Sequence, residues 1–193
     1  MLGAAVTTFA RRGYRAASMD EIAEQAGVSK PLVYLYLNSK EELFIACIQR
    51  EAAALDTAVR DSVEPGAGPE RQLRSGLRAF FTHTAEHPDG WALLYRQART
   101  QGEPFAREVD RLRAGLVAYV TGLVFAAAGD ADCDAAGIAH ALVGAAESLA
   151  DWANAAPGTA PGTAPAPGRG PHETASILMS FAWPGLEALL RRG

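Results

Sequence analysis

The sequence predicts an all-α protein with an N-terminal three-helix domain and a larger C-terminal helical bundle. Apolar residues recur every three or four positions along most of the 193 residues, and no stretch shows the sustained alternation typical of strands. Helix-start signals and Gly or Pro breaks divide the chain into segments of helical length. We place the division between residues 1–48 and residues 49–193.

Composition indicates a soluble, cytoplasmic protein. The two cysteines, Cys47 and Cys133, are too few for a disulfide framework. We find neither a signal peptide nor an apolar run of membrane-spanning length, and therefore expect no membrane partner. The net charge of -4 argues against indiscriminate coating of nucleic acid, but residues 1–50 carry six basic and five acidic side chains and are nearly neutral.

The first two helices are predicted from an apolar stripe and a capping box. Residues 2–9 place apolar side chains on one face of a helix that we expect to end at Gly13. In Ser18-Met-Asp-Glu21 the Ser18 hydroxyl accepts from the Glu21 amide, and the Glu21 side chain is expected to reach back. A second helix therefore begins at Met19 and stops at Gly27, which suits a left-handed C-terminal residue.

A third helix follows after a short turn. Ser29 can cap it, and Pro31 lies in its first turn, where no intrahelical amide bond is lost. Val33 and Leu37 are four residues apart and face inward. The remaining large side chains then lie on or near the outer surface: Lys30, Leu32, Tyr34, Leu35 and Tyr36. Ser39-Lys-Glu-Glu42 is a second capping box and opens a long fourth helix.

Two helices joined by a short Gly-containing turn form a helix-turn-helix, whose second helix enters the major groove of DNA. Three segments carry a closer likeness: Phe9-Ala10-x-x-Gly13-Tyr14, Ile22-Ala23-x-x-Ala26-Gly27-Val28-Ser29, and residues 32–43, LVYLYLNSKEEL. On these motifs residues 1–50 resemble the DNA-binding domain of the TetR family of transcription regulators. The alternative is a helix-turn-helix used only for packing, which would not need basic and aromatic residues outside.

The resemblance implies a DNA-binding role for nine residues. Ser18, Tyr36 and Lys40 would hold phosphates, and the others belong to the turn and the groove-facing helix: Ser29, Lys30, Pro31, Leu32, Tyr34 and Leu35. Where Thr or a polar residue is common in the family, this chain has Leu32 and Leu35. We therefore expect these leucines to meet thymine methyls and Lys30 to read guanine.

The C-terminal domain begins within the long fourth helix, which we expect to run to Ser62. Residues 64–69 break that helix, and later helical stripes follow to residue 191. We predict that a flexible Pro/Gly/Ala loop at 155–171 interrupts them. The last two long helices have small and apolar faces, which belong either to the core of one subunit or to a contact with a twin. The family precedent favours the contact. It implies a homodimer through these helices and a palindromic operator.

Aromatic and polar residues of this domain could line a cavity for an effector, although core packing explains any single aromatic as well. The candidates are Phe80, His83, Trp91, Tyr95, Tyr119, His140, Glu147 and Trp152. His140 and Glu147 fit a ligand-binding stripe and a dimer stripe equally. The resemblance implies a repressor released from double-stranded DNA by a small, largely apolar effector. It implies no enzymatic activity and no cofactor.

One pattern supports a different class of function. His83-Thr-Ala-Glu86-His87 matches H-x-x-E-H, in which two metal ligands and a general base share one helix face. The alternative is therefore a metal-dependent helical hydrolase or a metal sensor. The pattern is short and His87 directly precedes Pro88, so we assign no metal ligand and no catalytic residue.

Overall fold

A computed structural model describes residues 1–36, 38–129, 133–155 and 170–190, without the side chains of residues 30, 35 and 36. These residues form helices and turns, with no strand among them, and the predicted all-α class is confirmed. The helices are α1 (Leu2–Ala16), α2 (Met19–Ala26), α3 (Lys30–Tyr36), α4 (Lys40–Ser62), α5 (Pro69–Glu86), α6 (Pro88–Ala92), a π-helical segment (Leu93–Ala98), α7 (Phe105–Ala128), α8 (Ala135–Ala153) and α9 (Pro171–Leu190).

The first helix departs from its predicted end. Gly13 has φ 78° and ψ 161°, a conformation that L side chains rarely adopt, and it interrupts the helix where the sequence predicts a stop. The chain then resumes helical geometry to Ala16. This break brings Tyr14 against Phe44, with 4.9 Å between ring centroids.

The chain forms two compact units, each discontinuous in sequence. The first contains Met1–Ala54 and His87–Arg113, and the second contains Leu55–Glu86 and Ala114–Gly193. Of the three boundaries, one falls within α4 and one within α7, and the third follows Glu86, the last residue of α5. The predicted division at residues 48/49 separates expected functions, and it stays a prediction.

The first unit is built on a buried apolar core. Phe9 of α1, Ile22 of α2, Val33 of α3 and Phe44 of α4 are completely buried and belong to one cluster. Phe105, in the first turn of α7, packs edge-on against Phe44 with ring centroids 4.8 Å apart. The third helix is therefore attached to a core that includes residues far along the chain.

Cys47 lies in the same core. Its thiol is fully buried and lies 3.9 Å from the Leu2 carbonyl oxygen. Burial raises the pKa of Cys47 to about 12, because a thiolate would lose its hydration there. Cys47 is therefore a core thiol.

The second unit is a helical bundle in which α5 packs against α8 and α9, and α8 packs against α9. Val117 of α7 clusters with Ala139 and Val143 of α8, and Val124 clusters with Leu142. Asp134 caps α8, because its carboxylate accepts from the Gly137 amide at 2.8 Å. The helix therefore begins at Ala135.

The expectation that no apolar run reaches membrane-spanning length is wrong for α7. Among the described residues, Phe105–Ala128 is long and apolar enough to cross a membrane by length and composition alone. Its apolar character has a second explanation within the fold. Val109 and Val117 are buried in the cores of the two units, and further residues of the same helix line a cavity in the second unit.

Candidate DNA-binding surface and internal cavity

The start of α2 shows one of the two bonds expected of a capping box. The Glu21 amide donates to the Ser18 hydroxyl at 3.1 Å, as predicted. The Glu21 carboxylate does not reach back to Ser18; it accepts from the Arg12 guanidinium at 3.1 Å. An arginine on α1 is a stronger donor than a backbone amide, so this ion pair joins α1 to α2 in place of the reciprocal cap.

The turn between α2 and α3 is set by Gly27. This residue has φ 66° and ψ 28°, and the Val28 amide donates back to the Ala23 carbonyl at 3.0 Å. A glycine takes this left-handed conformation without steric cost, which ends α2 sharply. The Ser29 carbonyl then accepts from the Leu32 amide at 3.0 Å and starts α3.

Within α3, one described side chain faces the core and three face outward. Val33 is completely buried, whereas Pro31, Leu32 and Tyr34 are exposed, with 37% of Leu32 and 42% of Tyr34 accessible. Two large exposed apolar side chains beside one anchor residue form a surface suited to a partner. We call Pro31, Leu32 and Tyr34 the recognition surface.

Five other predicted DNA-binding residues fall into two groups. Ser18 and Ser29 are exposed, Ser18 at the start of α2 and Ser29 directly before α3. Lys30, Leu35 and Tyr36 lie in or at the end of α3, but their side chains are outside the described residues, as is the whole of Leu37. The expected groove and phosphate contacts of these residues stay predictions.

Lys40 occupies a more enclosed position than a phosphate contact requires. Its ammonium donates to the carbonyl oxygens of Arg15 at 3.2 Å and Ala17 at 3.0 Å, and lies 4.8 Å from the centre of the Tyr14 ring. These acceptors follow the break in α1, so Lys40 fastens the end of α1 to the start of α4. One of its three N–H groups remains for a phosphate.

The second capping box at the start of α4 also differs by one partner. The Glu42 amide donates to the Ser39 hydroxyl at 3.1 Å, as predicted. The Glu42 carboxylate instead accepts from the backbone and side-chain nitrogens of Asn38, each at 3.0 Å. The Glu42 carboxylate therefore binds Asn38, which offers two donors, instead of Ser39, which offers one backbone amide.

The second unit encloses an apolar cavity of about 100 Å³. Its wall comes from α4, α5, α7, α8 and α9 and from Val63, which follows α4. The lining residues are Val59, Val63, Pro69, Gln72, Leu73, Gly76, Leu77, Phe80, Leu116, Tyr119, Val120, Leu123, Val124, Ala127, Leu142, Val143, Ala146, Trp183, Leu186 and Leu190. None of these residues is charged. Among these described residues, Gln72, Tyr119 and Trp183 carry the polar side-chain groups, and Gln72 already donates to the Glu64 carbonyl at 3.2 Å.

Two of the eight predicted effector residues, Phe80 and Tyr119, line this cavity. His83 lies along a separate surface groove of the same unit. The others in this unit are His140, which is exposed, and Glu147 and Trp152, which are half-buried and do not line the cavity.

Trp91 and Tyr95 belong to the first unit, where their rings stack with centroids 5.0 Å apart. The structure therefore does not bring the eight residues together. The leucines and valines that form most of the cavity wall were missed as a site, because their helical spacing also predicts an ordinary core.

The histidines of the H-x-x-E-H pattern do not share a helix. His83 is in the last turn of α5, whereas His87 precedes α6 with φ -120° and ψ 59°. Among the described residues, no group of three or more His, Cys, Asp or Glu side chains could hold a metal ion. The comparisons below do not support the hydrolase or metal-sensor alternative either.

Two features are typical of helix-turn-helix regulators. One is a short helix that exposes Leu32 and Tyr34 after a glycine turn, and the other is an all-helical unit with an apolar cavity. Two family models match the chain. Residues 1–47 match the bacterial regulatory proteins of the tetR family, and residues 69–185 match the tetracyclin repressor-like C-terminal domain.

The chain belongs to the TetR family, as its likeness to a whole solved structure also shows. It is 38% identical to a TetR-like transcriptional regulator from Rhodococcus sp. RHA1, with a TM-score of 0.77, over 96% of this chain and 93% of that one. TetR regulators are soluble proteins that bind DNA and small-molecule ligands and are typically dimers.

Curated relatives match over shorter stretches. The HTH-type transcriptional activator FasR of Mycolicibacterium smegmatis is 40% identical over 95 residues, 49% of this chain and 43% of that protein. The HTH-type transcriptional repressor SCO4008 of Streptomyces coelicolor is 30% identical over 123 residues, 58% of this chain and 60% of that protein. The chain thus spans about half the length of these relatives, one an activator and one a repressor.

Proposed function

We propose that this chain is a cytoplasmic, homodimeric repressor that binds a palindromic DNA operator and is released by a small, largely apolar effector. The recognition surface carries the proposal. Leu32 and Tyr34 are exposed on a helix that Val33 anchors in the core, so two large apolar groups can enter a groove without unfolding the domain. We expect Leu32 and Leu35 to meet thymine methyls and Lys30, the first residue of α3, to read guanine.

A selection experiment tests the DNA half of the proposal. Wild-type protein is incubated with random-sequence duplexes, and the bound duplexes are sequenced. We expect a palindrome whose half-sites are about one helical turn apart, because two recognition helices related by a twofold axis meet one groove at that separation. Replacing thymine by uracil in the selected half-site should weaken binding by roughly fourfold for each lost methyl contact. Unchanged affinity for every uracil duplex contradicts the Leu32 and Leu35 assignment.

The proposed dimer uses exposed faces of α8 and α9. On α8, His140 and Ala141 are exposed, and on α9 Gly185 is exposed and Phe181 is 79% accessible. An exposed phenylalanine beside small residues suits close helix packing against an identical face. Sedimentation equilibrium of wild type and Phe181→Asp tests this: we expect a dimer for the wild type and at least a tenfold weaker association for the variant. A variant that associates like the wild type removes this face from the interface.

The cavity supports the effector half of the proposal. Ligand pockets commonly span about 300–1,000 Å³, so the cavity of about 100 Å³ must widen to hold a typical effector. None of the described residues that line it is charged, and burying an ion there would be costly, so we expect the enclosed part of the effector to be uncharged. Val59 of α4 and Val63, the residue directly after α4, form part of that wall. Widening can therefore displace the helix that also carries Lys40, and shift the operator affinity.

A titration with 1-decanol, an uncharged hydrocarbon chain with one hydroxyl, tests the effector half. We expect saturable binding by calorimetry and a weaker affinity for the selected duplex when decanol is bound. Failure of decanol to bind or to change the operator affinity contradicts the proposed use of the cavity.

A reporter gene placed downstream of the selected duplex tests repression. Expression of the reporter should fall when the protein is present, and a rise in expression would assign activation.

A further inference from the structure

The guanidinium of Arg60, on α4, contacts Tyr119, a residue of the cavity wall. The Arg60 Cζ atom lies 4.2 Å from the centre of the Tyr119 ring, and its Nη2 donates to the Gly115 carbonyl at 3.3 Å. Gly115 and Tyr119 are four residues apart on α7. Arg60 therefore contacts one turn of α7 at two places, once through a ring and once through a backbone oxygen.

The same guanidinium is fixed to its own helix. Its Nε donates to the Asp56 carboxylate at 2.6 Å, one turn earlier on α4. This bond limits the rotation of the arginine about its long side chain, so a displacement of the guanidinium pulls on Asp56 of the same helix. The ion pair is 40% and 34% exposed, so we assign it an orienting effect and only a small effect on stability.

Tyr119 connects this contact to the cavity. It is half-buried, lines the cavity beside Leu116, Val120 and Leu123, and is one of the polar groups in an apolar wall. Arg60 does not line the cavity. A molecule that enters the cavity thus meets the tyrosine ring, and the ring meets the arginine. The cation and the ring attract each other only while the guanidinium stays over the ring face, so a small tilt of the ring changes the contact.

We propose that Arg60 is the positioning residue through which occupancy of the cavity is passed to α4. The inference rests on the proposed effector response. When a ligand presses on Tyr119, the ring moves relative to the guanidinium, and Arg60, held by Asp56, transfers the displacement to α4. Because α4 is one uninterrupted helix from Lys40 to Ser62, a shift at Arg60 reaches the residue that fastens the end of α1.

Four variants distinguish a positioning role of Arg60 from a purely structural role. Arg60→Gln removes the cation, and Arg60→Lys retains a cation that can still lie over the ring. Tyr119→Phe retains the ring face, and Tyr119→Leu removes it. The matched control is Arg74→Gln, because Arg74 also pairs with a carboxylate one turn earlier at 2.6 Å, to Glu70, but does not line the cavity.

The experiment measures three quantities for each full-length protein: the dissociation constant of the selected duplex, the dissociation constant of 1-decanol, and the factor by which saturating decanol changes the first. Allosteric coupling of this kind commonly amounts to 5–150-fold, so a wild-type factor of about fivefold or more is expected. Arg60→Gln and Tyr119→Leu should reduce that factor to below about twofold. Arg60→Lys, Tyr119→Phe and Arg74→Gln should keep most of it. Arg60→Gln should bind decanol and the free duplex within about threefold of the wild type.

The outcomes distinguish the inference from the function on which it rests. If Arg60→Gln binds decanol and still responds like the wild type, the inference is overturned and the proposed effector response stands. If Arg60→Gln also loses decanol binding or binding of the free duplex, Arg60 has a structural role and the inference is again overturned. If decanol leaves the operator affinity of the wild type unchanged, the proposed effector response fails, and the inference fails with it.

Discussion

Gly76→Ala is the substitution that tests the cavity most simply. Gly76 lies inside α5, where glycine costs about 1 kcal/mol relative to alanine. A Cβ atom at this position would lie 3.6 Å from the Val63 Cγ2 atom and 3.9 Å from the Val59 Cγ1 atom, which is ordinary van der Waals contact. The added methyl therefore fits the space without a clash, and it enters the cavity from the α5 side.

The magnitude follows from two contributions. The helix preference contributes about 1 kcal/mol, and burying one methyl group contributes about 0.8 kcal/mol. The free energy of unfolding should rise by roughly 1.5–2 kcal/mol, which corresponds to a melting temperature roughly 3–8 °C higher for a chain of this size. The methyl also removes roughly 30 Å³, about one water's share of the cavity, so decanol should bind more weakly.

Gly122→Ala is the matched control. Gly122 lies inside α7, is exposed, and has no atom within 4 Å of an added Cβ, so only the helix contribution of about 0.5–1 kcal/mol applies. Urea unfolding at one fixed protein concentration measures both variants, because association adds to apparent stability. If Gly76→Ala is no more stable than Gly122→Ala, or binds decanol as tightly as the wild type, the cavity described for the second unit is refuted.

One substitution, one thiol-labelling experiment and one pH series test the packing of the first unit. Gly90→Ala should destabilise the protein by about 1–3 kcal/mol in urea unfolding. A Cβ atom at this position would meet the buried Glu51 carboxyl group, with the Glu51 Cδ atom only 3.0 Å away. A stability equal to the wild type would contradict this packing. Ellman's reagent should modify the half-buried Cys133 in the folded protein and Cys47 only after unfolding, and immediate modification of both would contradict the burial of Cys47. Because the pKa of Cys47 is raised from 9.0 to about 12 on folding, its stabilising contribution is complete below pH 9 and is lost as the pH rises toward 12. Cys47→Ala should therefore lose less stability than the wild type between pH 8 and pH 10.5 in urea unfolding, and identical pH slopes would contradict the raised pKa.

The helix boundaries near the N-terminus are predictable because their causes are local. Ser18 and Ser39 bind amides three residues later, and Gly27 needs only its own backbone conformation to end α2. The partners of the two glutamates in these caps are not local in the same way. Glu21 binds an arginine of the preceding helix, and a sequence pattern that considers four residues cannot include that competitor.

Lys40 illustrates a second limit. The family motif places it beside the third helix and implies a phosphate contact, but its main acceptors are carbonyls of residues 15 and 17. Those carbonyls are available because Gly13 breaks α1 and turns the chain. A substitution at Lys40 therefore changes the attachment of α1 as well as any phosphate contact.

The cavity was the least predictable part. Leu73, Leu77 and Leu116 follow helical spacing, and that spacing is the same whether a stripe faces a filled core or an unfilled space. Aromatic content was a poor guide, because Trp91 and Tyr95 stack on each other in the first unit. The pairing of α5 with α8 and α9 decides which stripes face a common space, and that pairing joins residues about 70 to 100 positions apart.

The most direct test of the account measures binding of the selected duplex by wild type and by the double variant Leu32→Ala, Tyr34→Ala, using fluorescence anisotropy. Both side chains are exposed, so the urea midpoint of the variant should match that of the wild type within error. Operator affinity should fall by at least about tenfold, and the wild type should bind as two subunits per duplex. A folded variant that binds the duplex as tightly as the wild type would contradict the assignment of α3 as the DNA-reading helix.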